Sequence, residues 1–293
     1  MGRRDDGWGL RTGDPITEEL TAIRLLGGGS SYEAYVAFDE HTYGPVVVKV
    51  LRPHKVADPS ALRGLRREVD ILSMVNHPVV ARGLRAVVDG DRPHLVLEAI
   101  DGPRLSTLLR KHGPLPEHQY LPLGLELASA AHYFRRIGLV HLDIKPSNVI
   151  MGAPVRLIDL SVARRVQDAR GLTYPIGTDA YMAPEQCDPP RSGRPDLASD
   201  VWGIGATLFE AIAGYRPFDD GEAASPVAAD RFPQLTEPCY ELPGTVPADV
   251  AKLVLACLEP APDDRPLPSE LAEGLKPALE RLPRARLSGW KVR

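Results

Sequence analysis

The stretch VHLDIKPSNVI, residues 140–150, decides how the rest of the chain is read. Asp143, Lys145 and Asn148 fall in a short loop with Pro146, bounded by apolar strands. An Asp can accept a proton from a hydroxyl, and a Lys two residues on can meet phosphate charge. An Asn carbonyl is a hard oxygen ligand suited to Mg2+. VRLIDLS (155–161) then places Asp159 at the end of another apolar strand, a second oxygen ligand for the same metal. A polar loop closed by an Asx turn is the plain alternative, but it does not account for all four residues together.

Upstream of this stretch the chain reads as strands. TAIRLL (21–26), EAYVAF (33–38) and VVVKVL (46–51) are short and rich in β-branched or aromatic residues, with Gly- or Pro-bearing turns between them. LRAVV (84–88) and HLVLEA (94–99) flank the turn DGDRP. One helix interrupts them. Asp58-Pro59 offers an N-cap and a Pro at the first helical position, and Leu62, Leu65, Val69, Leu72 and Val75 recur at helical spacing. Asn76-His77-Pro78 ends it.

Two features of this strand region carry chemistry. LGGGSSYEAY (26–35) sets Gly27, Gly28 and Gly29 between two strands, whereas a dinucleotide fingerprint or a Walker loop opens a helix. Glycines at a hairpin tip let backbone N–H groups approach phosphates, although an ordinary Gly-rich hairpin reads the same way. Lys49 lies inside the apolar strand VVVKV, and Glu68 lies on or beside the apolar face of its helix. A carboxylate there needs a cationic partner, and Lys49 is the natural candidate.

Downstream the period becomes helical. Leu121, Leu125, Ala128 and His132 make one stripe, with Gly138 as C-cap. Ala198 to Ile212 is apolar on nearly every side, so a buried helix is expected. Val250, Leu253, Val254 and Cys257 form another stripe, and Leu271, Leu275, Ala278 and Leu282 the last. Strands first and helices afterwards predict an α+β fold in two lobes.

Composition narrows the function. The 293 residues, 43% hydrophobic and 25% charged, suit one large or two ordinary globular domains. With 26 Gly and 29 Pro the chain is loop-rich yet below the roughly 25–30% share of disordered sequences. The 7 Lys beside 28 Arg make each Lys informative. A net charge of −4 argues against nucleic acid as a partner. Cys187, Cys239 and Cys257 are scattered, which fits neither a disulfide framework nor a zinc site and points to a reducing, cytoplasmic setting. No run reaches about 18 uncharged apolar residues, so no membrane span is expected. MGRRDDGWGL lacks the apolar segment of a signal peptide, and Asp6 stands where a myristoylation signal needs Ser or Thr.

These motifs, in this order from about Ile23 to Leu282, resemble those of eukaryotic-type (Hanks-type) protein kinases, in their bacterial Ser/Thr branch. LGGGSSYEAY is similar to the Gly-rich loop, VVVK to the third-strand Lys motif, and Glu68 to the partner Glu on the C-helix. HLDIKPSN resembles the catalytic loop and DLS the metal-binding DFG. GTDAYMAPE (177–185) resembles the end of the activation segment, SDVWGIG (199–205) the buried F-helix, and PAPDDRP (260–266) the late Arg motif, whose Arg265 pairs with Glu185.

The resemblance implies a Mg-ATP-dependent enzyme that phosphorylates Ser/Thr of protein substrates, itself included. By it, Lys49 holds the α/β-phosphates, oriented by Glu68, under a loop of Gly27, Gly28, Gly29 and Ser30. Asp143 is the catalytic base, Lys145 neutralises the γ-phosphate, and Asn148 and Asp159 bind Mg2+. Adenine lies between Val47 and Ile150, against a hinge from Glu98 to Ile100 with Leu97 as gatekeeper. Thr178 contacts the catalytic Asp and Lys. The implied organisation is an irregular lead-in (1–20), an N-lobe (21–98), a hinge (99–103), a C-lobe (104–282) and a short tail (283–293). Sensing is expected through partners or the kinase surface. The polar region 219–245 lies near where relatives dock partners, or is a surface insertion.

Four departures stand out: Tyr32 for the third Gly, Val47 for a small Ala, Leu142 for the catalytic-loop Arg, and Leu160-Ser161 for Phe-Gly. Tyr32 is expected to hold the loop away from the phosphates, so that Tyr32→Gly lowers the KM for ATP or raises turnover; the alternative is that Tyr32 folds over the cleft and shields it. Leu142 cannot pair with a phosphorylated activation segment, whose expected phosphosite is Thr173, so little dependence on such phosphorylation is expected. A nucleotide-binding pseudokinase scaffold is the alternative reading. A small-molecule phosphotransferase of the aminoglycoside-kinase type is a further one, disfavoured by the DIKPSN loop and the APE segment.

Overall fold

The computed structural model describes residues 7–189 and 191–283. The first six residues, on which the targeting readings rest, and all but the first residue of the tail lie outside that range. The chain forms two compact units: one runs up to Pro103 and takes Ile150–Arg164 with it, and the other comprises Arg104–Val149 and the chain from Arg165 on. Segment 150–164 therefore packs with the strands, although its place in the sequence put it with the helices.

The first unit is built on a five-stranded antiparallel sheet in the order β1-β2-β3-β5-β4. Its strands are Leu20–Gly28 (β1), Tyr32–Asp39 (β2), Gly44–Leu51 (β3), Gly83–Val87 (β4) and His94–Glu98 (β5). Alternation sorts the side chains of β2 and β3 between two faces. Tyr35, Ala37, Val46, Val48 and Val50 join Ile16, Leu20, Ala22 and Val96 in one core cluster. The irregular lead-in belongs to this core: Ile16 is 1% exposed, and Trp8 and Leu10 pack against the cluster. Lys49 and Val47 fall on the opposite face from Val46, Val48 and Val50.

The helix Pro59–Met74 (α1) starts as expected, with the Asp58 carboxylate accepting the N–H groups of Ser60 and Ala61. Its buried face is Ala61, Leu65, Glu68, Ile71 and Leu72, so it is rotated from the predicted stripe. Leu62 and Val69 are only half-buried, and Glu68 lies mid-face. Segment 150–164 joins this unit by backbone hydrogen bonds. Leu157 donates to Val79 O, Ala81 to Leu157 O, and Met151 to Pro103 O.

The second unit contains Leu105–His112 (α2), Glu117–Ile137 (α3), Val166–Ala169 (α4), Pro184–Cys187 (α5), Leu197–Ala213 (α6), Ala228–Arg231 (α7), Ala248–Ala256 (α8) and Pro268–Arg281 (α9). Gly138 caps α3 in the left-handed conformation. The buried face of α3 includes Leu121, Leu127, Ala128, Ala131 and Phe134. His132 of the predicted stripe is exposed and Leu125 half-buried. A polar imidazole loses its place to Ala131 and Phe134 because the helix has more apolar positions than one stripe needs.

Helix α6 is buried along nearly its whole length, as its apolar composition predicts. It passes close beneath the loop 141–148: a Cβ on Gly203 would meet Ile144 O at 3.1 Å and Ile144 Cβ at 3.2 Å. Residues 219–245 carry only α7 and a 3-10 turn at Pro233–Leu235. Among the described residues, no helix is long and apolar enough to cross a membrane.

Candidate active site

In the second unit, Asp143 is the centre of a hydrogen-bonded group. Its Oδ2 accepts from Lys145 Nζ at 2.7 Å and from Asn148 Nδ2 at 3.0 Å. Its Oδ1 accepts from the Thr178 hydroxyl at 2.7 Å. Lys145 also donates to Thr178 Oγ1. Asn148 Nδ2 reaches Asp143 O as well, at 2.9 Å. With its nitrogen so committed, the Asn148 amide has its oxygen left as an acceptor.

The loop bearing these residues is held from below. Asp200 of α6 is 3% exposed and accepts the backbone N–H groups of His141 and Leu142, both at 2.8 Å. Burial pushes its carboxyl up to about 7 against the pull of those two donors. Leu142 has φ 66°, which a branched side chain adopts only under outside constraint. That constraint is visible on both sides of the residue. Asp200 holds its N–H, and Gln186 Nε2 donates to its carbonyl at 2.8 Å. The same Gln186 Nε2 donates to Ile176 O at 2.8 Å, joining the segment at Ile176 to the loop at Leu142.

In the first unit, Lys49 Nζ lies 2.6 Å from Glu68 Oε1 and 3.0 Å from Asp159 Oδ1. Burial disfavours the Lys49 charge, but the two carboxylates outweigh it and raise the ammonium above its ordinary range. Burial pushes Glu68 up against the attraction of Lys49. The link from α1 to the DLS segment is completed by Arg67 Nη2, which donates to Ser161 O at 3.1 Å.

Tyr32 lies over the cleft residues of this unit. Its ring lies over the Lys49 ammonium, 5.2 Å from Nζ to centroid, and its hydroxyl approaches Gly64 of α1. Burial pushes the phenol up to about 12, with Glu68 adding to the shift. The side chain is therefore turned inward as a cover on the Lys49–Glu68 pair, the position of the shielding alternative, which predicts weaker ATP binding for the Gly variant. Cation–π contacts contribute about 0.5–2 kcal/mol, so Tyr32→Gly should raise the KM for ATP by about two- to thirtyfold, and Tyr32→Phe should leave it unchanged. A lower KM in the Gly variant would restore the steric reading.

The remaining candidates also lie in the first unit. Gly27, Gly28, Gly29 and Ser30 form an exposed hairpin tip, with Gly27 opposite Ala34 and Gly28 opposite Glu33. Val47 stands opposite Leu97 across β3 and β5. Ile100 and Ile150 are half-exposed. Glu98 is committed elsewhere through its side chain, which takes Arg156 and Arg82 as partners, and its backbone N–H donates to Arg82 O.

Sequence reasoning missed the roles of Asp200, Gln186 and Arg67. Asp200 stands within SDVWGIG, but only its two long-range backbone partners show what it does. Gln186 and Arg67 carry no sequence signal for the carbonyls they bind. Among the described residues, no three His, Cys, Asp or Glu side chains cluster to hold a metal by themselves. Within its own unit, the Asn148 amide oxygen is a hard donor of the kind Mg2+ accepts.

The protein kinase domain family matches residues 20–274 of the chain. The serine/threonine-protein kinase PkaA of Streptomyces coelicolor is 35% identical over 286 residues, covering 91% of this chain and 51% of the relative. The serine/threonine-protein kinase PknB of Mycobacterium leprae is 30% identical over 250 residues, covering 82% of this chain and 40% of the relative. The serine/threonine-protein kinase PknL of Mycobacterium tuberculosis is 29% identical over 263 residues, covering 87% and 65%. The chain thus spans about half, or less, of the length of the first two.

Proposed function

This chain belongs to the protein kinase domain family, and from that premise we propose that it transfers the γ-phosphate of ATP to Ser or Thr hydroxyls of proteins, itself among them. The observation that carries the reading is the Asp143 carboxylate gripped by Lys145, Asn148 and Thr178. A carboxylate fixed in this way can accept the proton of a substrate hydroxyl. The hydroxyl oxygen then forms its bond to the γ-phosphorus as the bond to the β-phosphate oxygen breaks, and ADP leaves. Lys145 neutralises charge on the transferred group. Lys49, oriented by Glu68, holds the α/β-phosphates, and the glycine hairpin covers them. Asn148 and Asp159 would hold Mg2+, which supplies charge neutralisation on the phosphates. The protein's part is positioning and electrostatics, with no covalent intermediate.

Lys145 beside the base favours Ser and Thr over Tyr as acceptors, in line with the resemblance. Tyr32 leaves the Lys49–Glu68 pair formed, so the scaffold alternative gains no support from it. The test is incubation of the purified chain with Mg-ATP and a proteome lysate, read by phosphosite mass spectrometry. New phosphoserine and phosphothreonine sites are expected. Their absence, together with no transfer to the chain itself or to a generic basic protein, would overturn the reading.

Regulation follows from how the activation segment is tethered. Gln186 and Thr178 tie it to the catalytic loop, Gln234 Nε2 donates to Asp179 O, and Arg231 pairs with Asp179. None of these ties needs a phosphate. Thr173 is exposed, Arg170 faces Asp196, Arg66 faces Asp89, and Arg67 donates to Ser161 O. Phosphatase-treated wild type and Thr173→Ala are therefore expected to keep turnover within about threefold of the untreated enzyme, because ordering does not await a new charge pair. A loss beyond about tenfold in both would show that the segment is phosphate-switched.

A further inference from the structure

The glycine hairpin is not free at its tip. Arg52, the first residue after β3, donates its backbone N–H to Ser31 O at 2.9 Å and its Nε–H to Gly29 O at 2.8 Å. One residue thus holds the carbonyls on both sides of Ser30. The Arg52 guanidinium is aimed in turn by Glu33, with Nη1 3.6 Å from Oε1.

Glu33 sits on the core face of β2 and is 6% exposed, where a carboxylate is tolerated only with partners. It has two besides Arg52. Its Oε2 accepts the Tyr35 hydroxyl and the Trp8 backbone N–H, each at 2.9 Å. Trp8 is anchored independently. Its indole N–H donates to Leu51 O at 2.8 Å, its ring packs against the core cluster, and the Arg92 guanidinium lies 4.7 Å from the ring centroid. The chain passes Glu33 so closely at residue 7 that a Cβ there would stand 2.2 Å from Oε1.

We infer that Trp8, Glu33 and Arg52 form a strap that positions the glycine hairpin for nucleotide, so that the N-terminal lead-in sets ATP affinity. The inference rests on the ATP-binding reading proposed above. The physical reason is entropic. A tip of exposed glycine and serine loses its freedom when it closes on phosphates, and a tip already held by a charge-assisted donor loses less. Arg52, Glu33 and Trp8 are positioning residues that act through the Gly29 and Ser31 carbonyls.

The test is titration of the full chain with N-methylanthraniloyl-ATP and Mg2+, alongside steady-state kinetics and thermal melting. Arg52→Gln keeps much of the side chain but loses the charge and the fork. It is expected to weaken probe binding and raise the KM for ATP by about tenfold, with kcat within about twofold of wild type. Arg52→Lys, which can reach one of its two partners, should recover part of the loss. Gly7→Ala displaces the Glu33 carboxylate without touching the hairpin and should raise KM in the same direction. Lys49→Ala reports on the underlying reading. If Lys49→Ala loses probe binding while Arg52→Gln and Gly7→Ala bind as wild type, the strap is wrong and the ATP site stands. The strap is equally wrong if the two variants only lower the melting temperature. If Lys49→Ala itself binds as wild type, the ATP site falls first and the strap with it.

Discussion

Asp143→Ala is expected to lower phosphoryl transfer by about two to four orders of magnitude, the usual contribution of a positioned general base. Melting should be nearly unchanged. Asp143 is half-buried and its partners Lys145, Asn148 and Thr178 are side chains of the site. Lys145 loses its carboxylate but is 18% exposed, so water can solvate part of the freed charge. Asp143→Asn sharpens the test, since it keeps the shape and an acceptor oxygen but cannot take the proton. Transfer should fall in both variants, with nucleotide-probe affinity retained. Wild-type turnover in either would remove Asp143 from the chemistry and with it the reading of residues 140–150.

Arg265→Ala is expected to destabilise the second unit by about 3–5 kcal/mol, the range for breaking a buried ion pair from one side. The side chains of Arg265 and Glu185 are both 0% exposed. The pair is bidentate, with Nη1 to Oε1 at 2.7 Å and Nη2 to Oε2 at 2.9 Å. Every donor of the guanidinium is used, because Nε reaches Glu259 O, Nη1 also reaches Ala198 O, and Nη2 also reaches Pro260 O. The guanidinium also lies 5.0 Å from the Trp202 ring centroid. Truncation would leave the Glu185 carboxylate buried with Ser199 Oγ, 2.7 Å away, as its remaining side-chain partner. Arg265→Lys should fail almost as badly, since an ammonium cannot match a planar fork. Chemical denaturation read by far-UV circular dichroism measures this. A loss under about 1 kcal/mol, the size of an exposed ion pair, would show that the pair is not a buried clamp.

Two ion pairs, Lys49–Glu68 and Arg265–Glu185, were suggested by the sequence for different reasons. Glu68 was legible because a carboxylate on the apolar face of a helix demands a cation, and Lys49 was the Lys on an apolar strand. Arg265 and Glu185 were legible only through resemblance, because 80 residues separate them and nothing local links them. Which of the two roles open to Tyr32 it takes was not legible in the sequence. A residue type at a hairpin tip states its bulk, but its rotamer depends on what lies beneath it, here Lys49 and Gly64.

What the sequence determined alone was everything governed by neighbours a few residues apart. Asp58-Pro59 starts α1 because an Asx cap and a proline act on the adjacent turn. Gly138 ends α3 because it can take φ 69° without a Cβ penalty. Alternation set the two faces of β2 and β3. Only the tertiary structure decided which distant groups meet. The α1 face turned to centre on Glu68, and α3 buried Phe134 while leaving His132 in solvent. Gln186 found the carbonyls of Leu142 and Ile176, and Trp8 reached Glu33 and Leu51. Backbone carbonyls are identical in every residue, so a side chain that binds one leaves no pattern in the sequence. Its partner is chosen by packing across tens of residues, where local propensity has no reach.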